Sequence, residues 1–387
     1  MRDIIYFDSA ATTFQKPSSV YIEADRCLRQ YCGNSGRGSH ILALRSAEKI
    51  YECRSILADM FATRPENVIF TQNTTYALNM AILGILKEGD HVIISNLEHN
   101  SVLRPIHNAH ISKGVEYTVF DAWCGGAATA EKILSNIRHA TRKNTRALVC
   151  THASNICSTI LPIKEIGEYC SRHGIIFIVD GAQSAGHEYI NMELMNIDIL
   201  CMPAHKGLFG PQGCGIMLLR SPDTMPSSLI FGGSGVNSLS PFMPDEPPEK
   251  YEAGTLPTPA IAGLCEGLRF LRDMGIENIT RHEKFLWNRA YNYLSKNKRV
   301  KIYDRNHSGS VLLFNILGAD CDKVGEYLSE KGICVRSGYH CAPLAHKTLN
   351  TAADNCSGAV RASFSIFNTA SEVDSLCYEL MKIPTSL

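Results

Sequence analysis

The run IIFIVDGAQSAGH, residues 175–187, decides the fold. Its apolar start, Ile175 to Val179, is of strand length and has no polar face, as in a parallel sheet covered by helices. Asp180 closes the strand and Gln183 follows within the next turn. In parallel α/β sheets ligands bind beyond the carboxyl ends of strands, so an acid at that place stands over a site. A half-buried carboxylate there needs a cationic partner. Taken alone, Asp180 fits a helix N-cap at a strand-to-helix turn equally well.

Around this run, apolar segments of strand length alternate with amphipathic helical ones from about residue 45 to 220. Strands are predicted at 67–71, 91–95, 116–120, 147–151, 175–180, 197–202 and 215–219, with helices at 43–61, 75–86 and 163–173 among them. The expected fold class is α/β, with a large, mostly parallel seven-stranded sheet and helices on both faces. After Ser221 the texture changes. FGGSGVNSLSPFMPDEPPEKYEAGTLPTP, residues 231–259, is rich in Gly, Pro and Ser and reads as a linker or functional loop. Helical patterns return over 260–295, short strands follow near 310–315 and 333–336, and a last helix is predicted over 371–383. The expected domains are a large one over 14–259 and a smaller α+β one built from 1–13 and 260–387.

Composition bounds the function. The 387 residues are enough for two domains and a large core, and 38 Lys plus Arg balance 38 Asp plus Glu. That balance removes the basic footprint of a nucleic-acid or membrane-surface protein, so small molecules and other proteins are the expected partners. The opening MRDIIYFDSAATT lacks the charged start and long apolar segment of a signal peptide, and no run approaches the roughly 18 apolar residues of a membrane span. A soluble, cytoplasmic protein is expected. Fifteen cysteines, an odd number in a long chain, then read as mostly reduced and buried. No CxxC pair occurs, and His340, Cys341 and His346 lack a clear fourth ligand, so no metal site is expected.

The segment CMPAHKGLFGPQGCG, residues 201–215, delivers His205 and Lys206 from a strand end into a glycine-rich turn. A lysine there is partly desolvated, which lowers its pKa and frees its amine for a Schiff base, although a lone loop lysine is usually a solvated charge. Together with Asp180 it becomes a candidate pyridoxal phosphate site, with lysine to the aldehyde carbon and aspartate to the pyridinium nitrogen. Such a site needs a phosphate cradle. In NVIFTQNTTYALNMAILGIL, residues 67–86, Thr74 and Thr75 stand at a helix N-terminus, where free N–H groups and hydroxyls accept an anion; plain N-capping would explain one of them. GNSGRGSH at 33–40 is not a P-loop, because no Lys-Ser or Lys-Thr follows at the required spacing.

Two more strand ends turn polar. VIISNLEHNS (92–101) presents His99, whose imidazole could stack on a flat ring and exchange protons near neutral pH, or simply bond to the loop backbone. THASN (151–155) presents Asn155. Strand ends that become polar together imply one shared cleft. In ICVRSGYHCAPLAH (333–346), Cys341 follows His340 and lies five residues after Arg336. A neighbouring imidazole and guanidinium raise the thiolate fraction of a thiol. Arg361, in the strand-like AVRASFSIFNT (359–369), wants a carboxylate, either structural or a substrate's.

With these residues in place, the sequence resembles the pyridoxal phosphate enzymes of aminotransferase class V, specifically the cysteine desulfurase and selenocysteine lyase group. The resemblance runs from YFDSAATT (6–13) through DGAQ, AHKGLFGPQG, YEAGT and RSGYHCA to RASFSIFNT (361–369), in that order and spacing. It implies a fold-type I enzyme that converts L-cysteine to L-alanine and passes the sulfur to Cys341 as a persulfide, then to an acceptor protein. Catalytic roles fall on Lys206, which bonds the cofactor and shuttles the substrate α-proton, on Cys341 and on His99, which stacks on the ring. Pyridoxal 5'-phosphate would be held by Thr74, Thr75, His99, Asp180, Gln183, His205 and Lys206, and by Thr255 of the partner subunit, which requires a homodimer. Asn155, Arg336 and Arg361 would orient the amino acid, with Arg361 on its carboxylate. Relatives commonly carry a phosphate-holding serine where this chain has Pro203, and many carry a histidine where it has Gly36. The competing readings are a selenocysteine lyase acting on L-selenocysteine, a class V aminotransferase-type enzyme with an idle cysteine, and a scaffold protein without turnover.

Overall fold

The computed structural model describes residues 4–36, 38–126, 128–303, 309–352 and 357–383. The chain opens with a short strand, β1 (Ile5–Tyr6), and two helices, α1 (Ser18–Gln30) and α2 (Ile41–Phe61). Strands and helices then alternate: β2 (Val68–Thr71), α3 (Thr74–Ile85), β3 (His91–Ser95), α4 (Asn100–Lys113), β4 (Glu116–Phe120), α5 (Ala130–Ala140), β5 (Thr145–Thr151), α6 (Ile163–His173) and β6 (Ile176–Asp180). Two further strands follow without an intervening helix, β7 (Ile199–Pro203) and β8 (Gly215–Leu219).

Strands β2 to β8 form one seven-stranded sheet in the order β2-β8-β7-β6-β5-β3-β4. From β7 to β4 all neighbours are parallel, and β8 is antiparallel to both of its neighbours. The cause lies in the connection. Parallel neighbours need a crossover of a dozen or more residues, which the helices supply elsewhere and the non-helical 181–198 supplies between β6 and β7, whereas the glycine-rich turn of 204–214 is too short and returns the chain directly. Lys206 sits in that turn.

Alternate side chains leave the sheet on opposite faces. Leu148, Phe177, Val179 and Leu200 pack with Leu57 of α2, Ile137 of α5 and Ile166 of α6. Val149, Ile178 and Ile199 pack with Leu78 of α3 and Ile106 of α4 on the other face. Each such buried aliphatic side chain contributes about 2 kcal/mol. Helix α4 was not legible as a periodic run, because Pro105 lies inside it and removes one backbone donor.

The rest of the chain comprises α7 (Thr258–Met274), α8 (Ile276–Leu294), β9 (Val300–Ile302), β10 (Val311–Ile316), α9 (Cys321–Glu330), β11 (Ile333–Cys334), β12 (Arg336–Gly338), α10 (Pro343–Leu349), β13 (Ala359–Ser363) and α11 (Ala370–Met381). The helical pattern of 260–295 is two helices, because Gly275 takes φ +78° between them. Strands β12, β13, β10 and β9 form an antiparallel sheet, and β1 pairs in parallel with β11. Phe7 is fully buried with Trp287, Phe314 and Phe364 in the core of this part.

Residues 225–257 contain neither helix nor strand. A buried ion pair ties them down: Arg54 Nη2 lies 2.6 Å from Glu252 Oε2, and Glu252 Oε1 accepts from the Phe70 N–H at 2.7 Å. Among the described residues, no helix is long and apolar enough to cross a membrane.

Candidate active site

The carboxyl ends of β3, β5, β6 and β7 converge on a cavity of about 200 Å³. Asp180 comes from the end of β6, and His205 and Lys206 follow β7. His99 and Asn155 come from the loops after β3 and β5, and Thr74 and Thr75 from the start of α3. Arg336, Cys341 and Arg361 reach the same cavity from the smaller sheet. Pro203 and Gln183 complete much of the lining.

Asp180 is 3% exposed, and its Oδ1 accepts the Ala182 N–H at 2.9 Å. Burial raises its pKa, while that hydrogen bond and Lys206 pull the other way. Lys206 is partly desolvated, as its sequence context implied. Burial pushes its amine down to about 8, with Asp180 opposing and Arg361 and Arg336 assisting.

The N-cap of α3 is Asn73, whose Oδ1 accepts the Tyr76 N–H at 2.9 Å, so both threonine hydroxyls are released from capping. Thr74 Oγ1 is buried without a partner. Thr75 Oγ1 lies 2.7 Å from Ser101 Oγ, which is 2.9 Å from His99 Nδ1. Nδ1 also accepts the Ser101 N–H at 3.0 Å. Ser101, absent from the sequence-derived set, thus joins Thr75, at the start of α3, to the His99 ring. A serine two residues after a strand-end histidine carries no distinct pattern, which is why it was missed. Burial, then Lys206 and the arginines, push His99 down to about 4. The ring is therefore neutral at neutral pH and is not a group that titrates there. His205 is likewise pushed to about 4 by burial, and its Nδ1 lies 3.0 Å from Thr12 Oγ1.

Gln183 donates from Nε2 to the Ala10 carbonyl at 2.9 Å. Asn155 donates from Nδ2 to the His340 carbonyl at 2.8 Å, and its backbone carbonyl accepts Arg361 Nη1 at 2.9 Å. Arg361, 1% exposed, pairs with Asp8 at 2.6 Å, and its Nε is buried without a partner. Asp8 is thus a structural counter-ion that the sequence reading did not single out.

Cys341 is exposed, and His340 and Cys341 both have left-handed backbone, φ +48° and +57°. One sequence expectation is corrected here. The His340 imidazole is 4% exposed, bonded to His346 at 3.1 Å and pushed down to about 2 by burial, so it is neutral and supplies no positive charge to the thiol. The same 3.1 Å contact makes the two histidines of the weak metal-spacing pattern partners of each other. Thr255 does not line this cavity. It borders a second one of about 540 Å³, together with Gly36, Arg54 and Glu252.

The donor set fits a phosphorylated pyridine aldehyde. Thr74 Oγ1, a buried hydroxyl without a partner at a helix N-terminus, suits an anion, the buried Asp180 carboxyl would suit a ring nitrogen, and the desolvated Lys206 amine an aldehyde carbon.

The model of the aminotransferase class-V family matches residues 5–376. A probable cysteine desulfurase from Methanothermobacter thermautotrophicus is 33% identical, over 99% of this chain and 95% of its own. One from Pyrococcus abyssi is 31% identical, over 100% and 96%. The apo structure of a cysteine desulfurase from Thermococcus onnurineus superposes with a TM-score of 0.90 at 31% identity, over 99% of this chain and 95% of the other. Sequence and architecture therefore agree across almost the whole length, and the chain belongs to the aminotransferase class-V family, in its cysteine desulfurase group.

Proposed function

We propose that this protein is a pyridoxal 5'-phosphate-dependent cysteine desulfurase that converts L-cysteine to L-alanine and leaves the sulfur on Cys341 for an acceptor protein. One observation carries the reading: an exposed thiol on a left-handed turn lines the same cavity as a desolvated lysine and a buried aspartate.

Thr74, Thr75, His205 and the N-terminus of α3 would hold the phosphate, Asp180 the ring nitrogen, Gln183 the phenolic oxygen, His99 the ring face and Lys206 the aldehyde carbon. Once bound, the cofactor supplies an electron sink for the pair left at the substrate Cα. Lys206, with its amine near 8, is suited to take the α-proton at Nζ and to return a proton to the product. Arg361 and Arg336 bind the substrate carboxylate, and Asn155 orients the amino acid. The Cys341 thiolate attacks the substrate sulfur; an S–S bond forms as the C–S bond breaks, and the carbon leaves as alanine after gaining a proton. Cysteine plus thiol gives alanine plus persulfide, so no outside oxidant is needed.

A homodimer completes the phosphate site with Thr255 of the partner subunit. Support comes from exposed apolar side chains on two segments that line the second cavity, Ile41 and Leu44 of α2 and Phe231 and Phe242 of the long loop, and from Ile22 and Leu28 of α1. A cytoplasmic location suits a chain with fifteen cysteines and a thiol that must remain reduced. The two sheets support a large unit over 14–259 and a smaller one from 1–13 and 260–387, with α7 as connector, since its Leu264 and Leu268 pack in the first core.

The test is to add L-cysteine to the purified holoenzyme and measure alanine, sulfide and the mass of the Cys341 peptide. Alanine with one added sulfur on that peptide is expected, and absence of alanine overturns the proposal. Loss of cysteine turnover in Cys341→Ala with full activity on L-selenocysteine would instead favour a lyase.

A further inference from the structure

Behind the Cys341 turn lies a buried chain of hydrogen bonds to which the proposed chemistry gives no task. His340 Nε2 is 3.2 Å from the Arg336 carbonyl, His340 Nδ1 is 3.1 Å from His346 Nε2, and His346 Nδ1 is 2.6 Å from Thr351 Oγ1. The two imidazoles are stacked with planes 9° apart, and His346 is 1% exposed.

The direction of this chain is set at one end. A carbonyl can only accept, so His340 Nε2 carries a hydrogen. Burial and the nearby Arg361 push His340 down to about 2 and His346 to about 4, so each ring carries one hydrogen only. His340 Nδ1 is then an acceptor, His346 Nε2 donates to it, and the Thr351 hydroxyl donates to His346 Nδ1. Every member is satisfied in a single orientation.

Left-handed backbone at two consecutive non-glycine residues persists only where the surroundings over-determine it. Two anchors hold the turn from the large sheet's side. Asn155 Nδ2 donates to the His340 carbonyl at 2.8 Å, and the Asn100 N–H donates to the Cys341 carbonyl at 2.7 Å. Neither fixes the His340 side chain, and the imidazole chain does. It also ties the turn to the backbone of Arg336, so the strand that presents an arginine and the turn that presents the thiol share one support.

We propose that His346 is a positioning residue for Cys341: by donating to His340 it locks the ring that keeps residues 340 and 341 in the left-handed turn, and Thr351 fixes which nitrogen of His346 donates. The inference rests on the reading of Cys341 as the sulfur-accepting thiol only where turnover is measured.

The test compares three substitutions in the holoenzyme. His346→Gln keeps a donor near the Nε2 position, His346→Asn places its amide near Nδ1 and loses the bond to His340, and His346→Leu loses both. Thermal stability and the cofactor's absorption spectrum establish that each variant is folded and loaded. The readouts are persulfide formation on Cys341, the KM for L-cysteine, and the rate of Cys341 alkylation by iodoacetamide without substrate, followed by peptide mass. Persulfide formation should fall about tenfold in His346→Leu and His346→Asn, with KM within about twofold and the alkylation rate altered in the same two variants. His346→Gln should remain close to wild type, and Thr351→Ser should match wild type where Thr351→Val falls partway. Equal rates in the Gln and Leu variants, or a folded Leu variant with wild-type persulfide formation and alkylation, overturn the proposal. If wild type itself forms no alanine, the desulfurase reading fails, and the alkylation ranking alone decides the role of His346.

Discussion

Arg336 and Arg361 are directly opposite each other across the antiparallel pair β12 and β13. Like charges in that register destabilise a sheet, and an arginine that is 1% exposed costs more still. Asp8 offsets one of the two charges through its 2.6 Å contact with Arg361 Nη2. One positive charge and one buried N–H without a partner, Arg361 Nε, remain after that pairing, which supports the carboxylate-binding role proposed for these arginines.

Arg361→Lys keeps the charge and removes the fork. We expect the KM for L-cysteine to rise about tenfold or more, a loss of about 1.4 kcal/mol of carboxylate binding. Arg336→Lys, at a half-buried position, should have a smaller effect. Steady-state alanine formation measures both. An unchanged KM in Arg361→Lys would remove this residue from substrate binding.

Burial disfavours the Lys206 ammonium and pushes the amine down to about 8, with Asp180 opposing. Asp180→Asn removes the opposing charge, so the amine should fall below 8. The folded value lies below the roughly 10.4 of an unfolded lysine, so the unfolded chain binds more protons between the two and this group's contribution rises from pH 8 to pH 10. Reaction of the cofactor-free protein with a small aldehyde, trapped by borohydride and read as Lys206 peptide mass, should show a midpoint near 8 in wild type and a lower one in Asp180→Asn. A wild-type midpoint near 10 would mean that the amine is solvated.

The sequence pattern revealed the large sheet and the side chains at its strand ends, because uninterrupted apolar runs followed by a polar tip are a local signal. Asp180, Lys206, His99 and Asn155 were legible in that way. The contacts that hold them were not, since these join residues far apart in the chain: Asp8 to Arg361, Glu252 to Arg54, and Thr75 to Ser101. The His340–Cys341 pair shows the limit most clearly. Adjacency in sequence implied activation of one by the other, whereas the left-handed turn sends the imidazole into a buried pair with His346.

Ser101 links the Thr75 hydroxyl to the His99 ring. Ser101→Ala removes both hydroxyl contacts but leaves the backbone N–H to His99, so the ring is loosened rather than lost. Loss of one or two such bonds costs about 1 kcal/mol. The dissociation constant for pyridoxal 5'-phosphate, followed by absorbance titration, should rise several-fold while thermal stability of the cofactor-free protein changes little. Unchanged affinity would detach Ser101 from the cradle.

Glu98 is fully buried beneath the same cleft. Its Oε1 accepts from the Thr151 N–H at 3.0 Å and from the Ser95 hydroxyl, and its Oε2 has no partner. Burial pushes this carboxyl up to about 8, and Asp180 adds to the rise against the hydrogen bonds. A neutral Glu98 leaves Asp180 as the acid available to a ring nitrogen. Because the folded value lies above the unfolded one, the folded protein binds the extra proton, and the stabilisation is complete below about pH 4 and lost as pH rises through 8. Glu98→Gln is neutral at every pH and should not show this loss. In urea unfolding of the cofactor-free proteins, wild type should lose on the order of 4 kcal/mol relative to Glu98→Gln between pH 5 and pH 8.5. A difference independent of pH would mean that Glu98 is ionised throughout, and two negative carboxylates would then share the floor of the cleft.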